Sequence, residues 1–509
     1  MHRNRLAVWS TAVPILTGAV LTAVLASAPA SRLLGYPLIE DGFYSLSIAR
    51  QIGLGHGITI DGTMWTNGFQ PLWVFLLAPV YLLTGGSRLM ALRAVLVCSA
   101  AVWLLTAWAL AELAARARPT AARQIRVWTV VLYLTSTTIF EQHFNGLETG
   151  LLLLVFAVLG LAAGHRTWSG VRMVLVGILS GLLVLTRIDT ALFVALFSSA
   201  MLCFPRGEAL RSRVRRTAAV VVGSALVSCP WWLYNVRRFG SLMPSSGSSE
   251  FDWHWRPGRA LVLGLYAAGH AVPLAIQPFW PRSYGWWAAI ALILAGVTAI
   301  VRTRGRIVGR AVTLLDDHPL APFAAALLAY MALLILVYAM NPAWWMYQRY
   351  TVPVVVLSVP AVAAAAARVF SERATAVIAP LAALCLVLGV RANLRSPDNG
   401  NYQAQLQLAL THVPDAASVG ALQSGTLGYL RDRVVNLDGK VNPAALRARN
   451  DLDDYTRGIG LDWVVDWPWL LHSEFGSLDA WQVVDRANVP GCDSCEFVLY
   501  RRRPPSPGR

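Results

Sequence analysis

Leu92–Leu113 reads LRAVLVCSAAVWLLTAWALAEL, and Arg116, Arg118, Arg123 and Arg126 follow it. An α-helix rises ~1.5 Å per residue, so about 20 apolar residues cross the ~30 Å hydrocarbon core of a bilayer. Arginines gathered at the end of such a run mark the cytoplasmic side. This one stretch therefore predicts a membrane helix and its direction. Composition extends the reading to the whole chain: of 509 residues 56% are hydrophobic and 14% charged, with a mean hydropathy of +0.52. Soluble domains carry about 25% charged residues, so most of this chain is solvated by lipid. The net charge of +16 does not predict nucleic-acid binding, because the arginines sit in short clusters between apolar runs and form no single basic face. Lys440 is the only lysine, which reads as a compositional habit and not as chemistry.

Upstream of this span, Arg3 and Arg5 start the chain in the cytoplasm, and a first span runs from about Val8 to Ala28. Its basic start and small residues at Ala26–Ala30 resemble a signal peptide. Cleavage would strand the acidic segment beyond it, so an uncleaved helix is expected. An external loop over residues 30–91 follows. Within it Pro71–Thr84 is too short to span, and is read as a helix at the outer interface with Trp73 and Tyr81 at that depth. Downstream come Val127–Phe140, Gly150–Ala163 and a pair of spans joined outside by Arg187-Ile188-Asp189. The densest cluster, Arg206, Arg211, Arg213, Arg215 and Arg216, precedes a span rising to Tyr234. Ala260–Phe279 is read as interfacial, since counting it would put Arg302, Arg304, Arg306 and Arg310 outside. Trp286–Val301, Leu320–Met340, Val352–Ala367 and Ala374–Val390 complete a path of about eleven transmembrane helices. On it, 19 of the 43 basic residues lie in short cytoplasmic segments, where the only acids are Glu208, Asp316, Asp317 and Glu372.

After Arg391 the character changes. Residues 392–509 hold 14 of the 27 carboxylates and no run that could span. Alternating stretches such as Asp462–Asp466 and Glu496–Tyr500 read as strands, with helices between them. An odd number of spans from a cytoplasmic start leaves this part outside. The expected fold class is a polytopic α-helical membrane protein, residues 1–391, carrying an extracytoplasmic α/β domain, residues 392–509. Cys98, Cys203, Cys229 and Cys385 fall in or beside apolar runs, while Cys492 and Cys495 form a single Cys-x-x-Cys. Outside the cytoplasm a local disulfide is favoured there over zinc.

Charged groups kept at membrane depth are costly, which makes those near the outer ends of the spans candidates for function. Glu40-Asp41 comes directly after the first span. Gly42-Phe43-Tyr44, His56 between two glycines, and Asn67-Gly68-Phe69-Gln70-Pro71 follow in the same loop. A paired carboxylate followed by glycines, amides and aromatics suits sugar binding and acid–base work, although an ordinary polar loop could carry the same residues.

The stretch Glu40–Trp73 resembles the first external loop of the GT-C superfamily of membrane glycosyltransferases. It is most similar to the bacterial branch related to protein mannosyltransferases and arabinofuranosyltransferases. Gly146-Leu147-Glu148-Thr149-Gly150, Leu185-Thr186-Arg187-Ile188-Asp189, Gln348-Arg349-Tyr350 and the segment Gly420–Asn442 agree with that branch. The resemblance implies a polyprenyl-phosphate sugar as donor, a cell-envelope glycan, lipid or protein as acceptor, and a multi-pass protein of the bacterial plasma membrane. It implies Asp41 as catalytic base with Glu40 beside it. It places Glu148, Arg187, Asp189, Arg349, Tyr350, His56, Asn67 and Gln70 at the substrates. The family's acidic pair is more often Asp-Asp, so of the two carboxylates Asp41 carries the base role. Leu242-Met-Pro-Ser-Ser246 lacks the Asn and Lys that relatives often carry after this proline. No metal ligand set is named, and a divalent cation is left open. A sugar on a lipid phosphate is already activated, so transfer requires a base for the acceptor hydroxyl and positive charge for the departing phosphate. Guanidinium forks make Arg349 and Arg187 the candidates for phosphate, with an Arg187–Asp189 structural pair as the other reading. A glycan ligase or polymerase using a lipid pyrophosphate, and a lipid-linked sugar transporter, are the rival functions.

Overall fold

Apolar runs and their arginine flanks become helices where the sequence places them. Among the described residues six are long and apolar enough to cross a membrane: Arg5–Ala26, Arg88–Ala117, Leu210–Phe239, Ala321–Tyr338, Val352–Val369 and Glu372–Leu394. Thr137–Phe144 and Thr149–Ala163 add a broken pair bent by 107°. The structure, a computed structural model, describes residues 2–249, 254–272, 318–340, 349–395, 401–489 and 495–504, with Trp287, Ile290, Ala291, Leu294 and Thr298. The rest of the expected Trp286–Val301 span, the end of Ala260–Phe279 and Cys492 lie outside the described residues.

The departures from the expected path are in length. Val127–Phe140 is not one helix. Ala122–Thr135 ends at Ser136, whose hydroxyl caps the next helix by accepting from the Ile139 amide at 3.4 Å. Gly170–Thr186 and Ala191–Cys203 hold 17 and 13 residues, at or below the length that crosses comfortably, and meet at Arg187 as expected. Pro71–Leu83 forms the short helix predicted for the first loop. The outward faces are apolar: Leu16, Leu226 and Val377 are 63%, 69% and 61% exposed. A bundle made for water would carry charge on such faces; lipid makes them stable.

The C-terminal part forms a five-stranded sheet in the order β2-β1-β3-β5-β4. Its strands are β1 Val419–Ala421, β2 Val434–Asn436, β3 Trp463–Asp466, β4 Trp481–Asn488 and β5 Glu496–Arg502. β1 pairs in parallel with β2 and β3, and β5 runs antiparallel to β3 and β4. The period of two along a strand divides its residues between two cores. Val464 and Val498 pack with Leu422, Leu437, Leu461 and Trp481 on one face. Val465, Phe497 and Leu499 face the other way and belong to the same apolar core as the helices of the bundle. The sheet is thereby seated on the helical part, which brings the loops after β1 and β2 to the loop that follows the first span. Cys495 is disulfide-bonded, while Cys98, Cys203, Cys229 and Cys385 are free.

Candidate functional site

Glu40 and Asp41 open the Glu40–Gly53 helix, where acidic side chains complement the N-terminal end of the helix dipole. Successive helical residues point about 100° apart, so the two carboxylates part company at once. Asp41 turns into a cavity. Its Oδ2 accepts from Arg349 Nη1 at 3.0 Å, and Lys440 Nζ stands 3.5 Å from Oδ1. Burial pushes the Asp41 pKa up, but Lys440 and Arg349 outweigh it and hold the carboxyl well below the usual carboxylate range.

Glu40 points away from that cavity and into the sheet's loop. It accepts from the Thr426 amide at 2.9 Å, from the Thr426 hydroxyl and from the Gly425 amide. A second buried carboxylate, Asp466 at the end of β3, holds the same loop from behind by accepting from the amides of Leu422 and Gln423 at 2.8 and 2.7 Å. The Tyr44 hydroxyl, one turn along from Glu40, accepts from the Ser424 amide at 3.1 Å. Burial dominates for both acids: Glu40 is pushed up to about 7 and Asp466 to about 8. The stretch Leu422–Thr426 is thus fastened between the Glu40–Gly53 helix and the sheet.

Lys440 reaches Asp41 from the turn after β2. Gly439 takes a φ of 80°, a conformation that favours glycine, while the Lys440 amide donates to Asp438 Oδ1 at 2.8 Å. The Lys440 carbonyl accepts from the Ser245 hydroxyl at 2.8 Å and presses on Gly68, where any Cβ would collide with it. Asn67 Oδ1 accepts from the Ser245 amide at 3.1 Å. The segment after Pro244, which lacks the expected Asn and Lys, is therefore the one to which Lys440 is tied. Lys440, the only lysine in the chain, thus turns its ammonium toward Asp41.

The cavity has a volume of about 470 Å³. Asp41, Gln70, Glu148, Asp189, Arg349, Tyr350 and Lys440 supply most of its polar lining, and Phe69, Leu147, Ile188, Leu192, Leu334 and Val337 much of its apolar wall. Glu148 sits in the break of the bent helix pair. The Trp73 indole donates to the Gly146 carbonyl at 3.0 Å, and Asn145 Oδ1 accepts from the Leu147 amide at 2.9 Å, which holds the turn. Arg187 is paired with Asp189, and its guanidinium lies 4.0 Å from the Tyr350 ring centroid. Asp189 also accepts from the hydroxyls of Tyr330 and Tyr338 at 3.2 and 3.4 Å. Gln70 Oε1 accepts from the Ile188 amide at 3.2 Å, joining the two loops.

Of the residues singled out in the sequence, Asp41, Gln70, Glu148, Asp189, Arg349 and Tyr350 line the cavity; Arg187 stands just behind it. Glu40 and Asn67 are buried in the joints beside it, and His56 hydrogen-bonds Gln51 at 2.7 Å within the loop. Lys440 and Tyr338 line the cavity without having been named for it. Among the described residues no three His, Cys, Asp or Glu side chains gather as a metal site. Asp41 instead has two cationic neighbours, Arg349 and Lys440.

No protein-family model matches the chain, and no curated protein sequence matches it. Its structure is similar to that of ArnT from Cupriavidus metallidurans bound to undecaprenyl phosphate, with a TM-score of 0.51 over 95% of this chain and 97% of that one, at 16% identity. The two chains share a fold. The apo form of the same ArnT is similar at a TM-score of 0.50, with 18% identity over 94% of this chain and 98% of the other.

Proposed function

We propose that this chain is a membrane glycosyltransferase that moves one sugar from a polyprenyl phosphate to an acceptor hydroxyl on the outer face of the membrane. The observation that carries the reading is the cavity itself, where one carboxylate meets two cations from distant parts of the chain beneath apolar walls. A lipid-borne sugar phosphate needs these groups. Its isoprenoid lies along apolar surface, its phosphate is met by Arg349, and its anomeric carbon comes within reach of a hydroxyl activated by Asp41. The shared fold with ArnT, whose structure is bound to undecaprenyl phosphate, supports the same donor class.

In this reaction the acceptor oxygen forms a bond to the anomeric carbon as the bond from that carbon to the phosphate oxygen breaks. The hydroxyl proton passes to Asp41, and the configuration inverts. Arg349 stabilises the charge that collects on the departing phosphate. Glu148 and Asp189 orient the sugar and the acceptor, with Arg187 holding Asp189 in place. This reading takes the path expected from the sequence, about eleven spans with residues 1–391 in the membrane and residues 392–509 outside, on which the cavity opens at the outer surface. The test is to incubate the purified full chain with a panel of radiolabelled polyprenyl-phosphate sugars and follow loss of label from lipid. Label that stays on every lipid in the presence of crude envelope acceptors would reject the proposal.

A further inference from the structure

Asp41 is already engaged. Arg349 holds one of its oxygens at 3.0 Å and Lys440 stands 3.5 Å from the other, and all three side chains line the cavity at 16–20% exposure. Two cations beside a carboxylate favour its ionised form, which makes it a poor proton acceptor. A base so arranged is matched to its task only if something else draws those cations away. Lys440 is suited to being drawn. Its backbone is fastened at both ends, by Asp438 at the amide and by Ser245 at the carbonyl. Its charge lies on a flexible four-carbon stem that can swing between neighbouring anions, where a guanidinium is a fixed fork. In a chain whose other 42 basic residues (43 less Lys440) are arginines, the single ammonium stands between two carboxylates, 3.5 Å from Asp41 and 4.0 Å from Asp438.

We infer that Lys440 and Arg349 form a phosphate clamp that Asp41 occupies while the cavity is empty, and that a lipid-borne phosphate takes both cations over and releases Asp41 as the base. The phosphodiester arrives with one negative charge and leaves, as the phosphate monoester, with up to two. The clamp therefore holds the product more tightly than the donor and stabilises the bond-breaking step. The released carboxylate takes the acceptor's proton, so base and leaving-group stabiliser are switched on by the same binding event. What the released carboxylate does rests on the proposed sugar transfer. The exchange of partners itself is a binding event that needs no sugar.

The lone lysine makes the test direct. Reductive methylation with isotopic formaldehyde modifies only Lys440 and the N-terminal amine, and each is read in its own peptide by mass spectrometry. Undecaprenyl phosphate should slow methylation of Lys440 in the full-length protein severalfold and leave the N-terminal amine unchanged. Undecaprenol should have no effect. Inorganic phosphate at the same concentrations should protect far less, and equal protection would overturn the assignment to a lipid-borne phosphate. Lys440→Met should weaken binding of undecaprenyl phosphate about 10- to 100-fold, the size of one charge-assisted contact, and Lys440→Arg should retain most of it. Asp41→Asn should tighten that binding severalfold, because it removes the competing anion. Weaker binding by Asp41→Asn, or no protection of Lys440 in the native protein, would overturn the clamp. The two readings fail separately: sugar transfer without protection of Lys440 leaves the enzyme and removes the clamp, and protection without transfer does the reverse.

Discussion

Glu40 and Asp41 are neighbours in one helical turn, yet they live in different electrostatic worlds. Asp41 is compensated by two full charges and opens on a cavity, so its carboxyl is held below the usual range. Glu40 is compensated by two amides and a hydroxyl in a buried joint, so desolvation wins and its carboxyl is pushed up to about 7. At Asp41 two formal cations outweigh burial; at Glu40 the hydrogen bonds from Gly425 and Thr426 do not. One region is built for exchange with a ligand. The other joins the loop after the first span to the sheet whose β2 turn carries Lys440.

The comparison breaks most sharply at Asp41. Asp41→Asn keeps the size of the side chain but cannot take a proton, and turnover should fall by ~10²–10⁴-fold. The joint around Thr426 should keep its hydrogen-exchange protection. A rate near wild type would move the base to Glu148, the carboxylate across the same cavity. Arg349→Ala comes next: use of the lipid donor should drop by about 10- to 100-fold, and Arg349→Lys should recover part by keeping the charge without the fork. Equal, wild-type-like behaviour of both variants would take Arg349 out of the site.

The joint should respond to pH with the opposite sign to Asp41. Glu40 and Asp466 have folded pKa values raised above their ordinary 4.5 and 3.8, to about 7 and about 8. Their contribution is therefore fully present below about pH 4 and is lost as pH rises through 7 and 8. Asp41, with its pKa lowered, contributes above its ordinary value and loses that contribution only in strong acid. Hydrogen-exchange protection over Leu422–Thr426, taken relative to the intrinsic rate at each pH, should accordingly fall between pH 5 and pH 8, with a smaller change in Glu40→Gln. A flat profile would mean that the three hydrogen bonds to Glu40 outweigh its burial. At fixed neutral pH, Glu40→Gln should cost about 1–3 kcal/mol of stability, because its NH2 replaces an oxygen that accepts from the Gly425 or Thr426 donors and leaves a buried donor unpaired. The smallest effect belongs to His56→Ala. That side chain touches Gln51 and lies in neither region, so turnover should stay within about twofold and stability within about 1 kcal/mol.

Much of the fold was legible in the sequence because lipid and the positive-inside rule act on local composition. Leu92–Leu113 with its arginines, the short Pro71–Leu83 helix and the Arg187 corner all follow from runs of a few residues read in order. The break at Ser136 was not legible, since a capping hydroxyl inside an apolar run leaves the hydropathy almost unchanged. Of the candidate site, Asp41 and Arg349 could be named from their flanking motifs. Lys440 had a visible signal in its being the only lysine, but nothing local tied it to a carboxylate in the first loop.

The amino-acid order by itself determined which segments prefer lipid and where alternating strands begin, because each depends on neighbours within a turn or two. The tertiary structure alone decided that Glu40 would serve a joint and Asp41 a cavity, that Arg187 would be paired with Asp189, and that Lys440 would stand 3.5 Å from Asp41. Those outcomes depend on helix rotation and on how the sheet is seated against the bundle. A charge pair is decided by distance in space, and no pattern along the chain encodes a contact between its first loop and a turn near its other end.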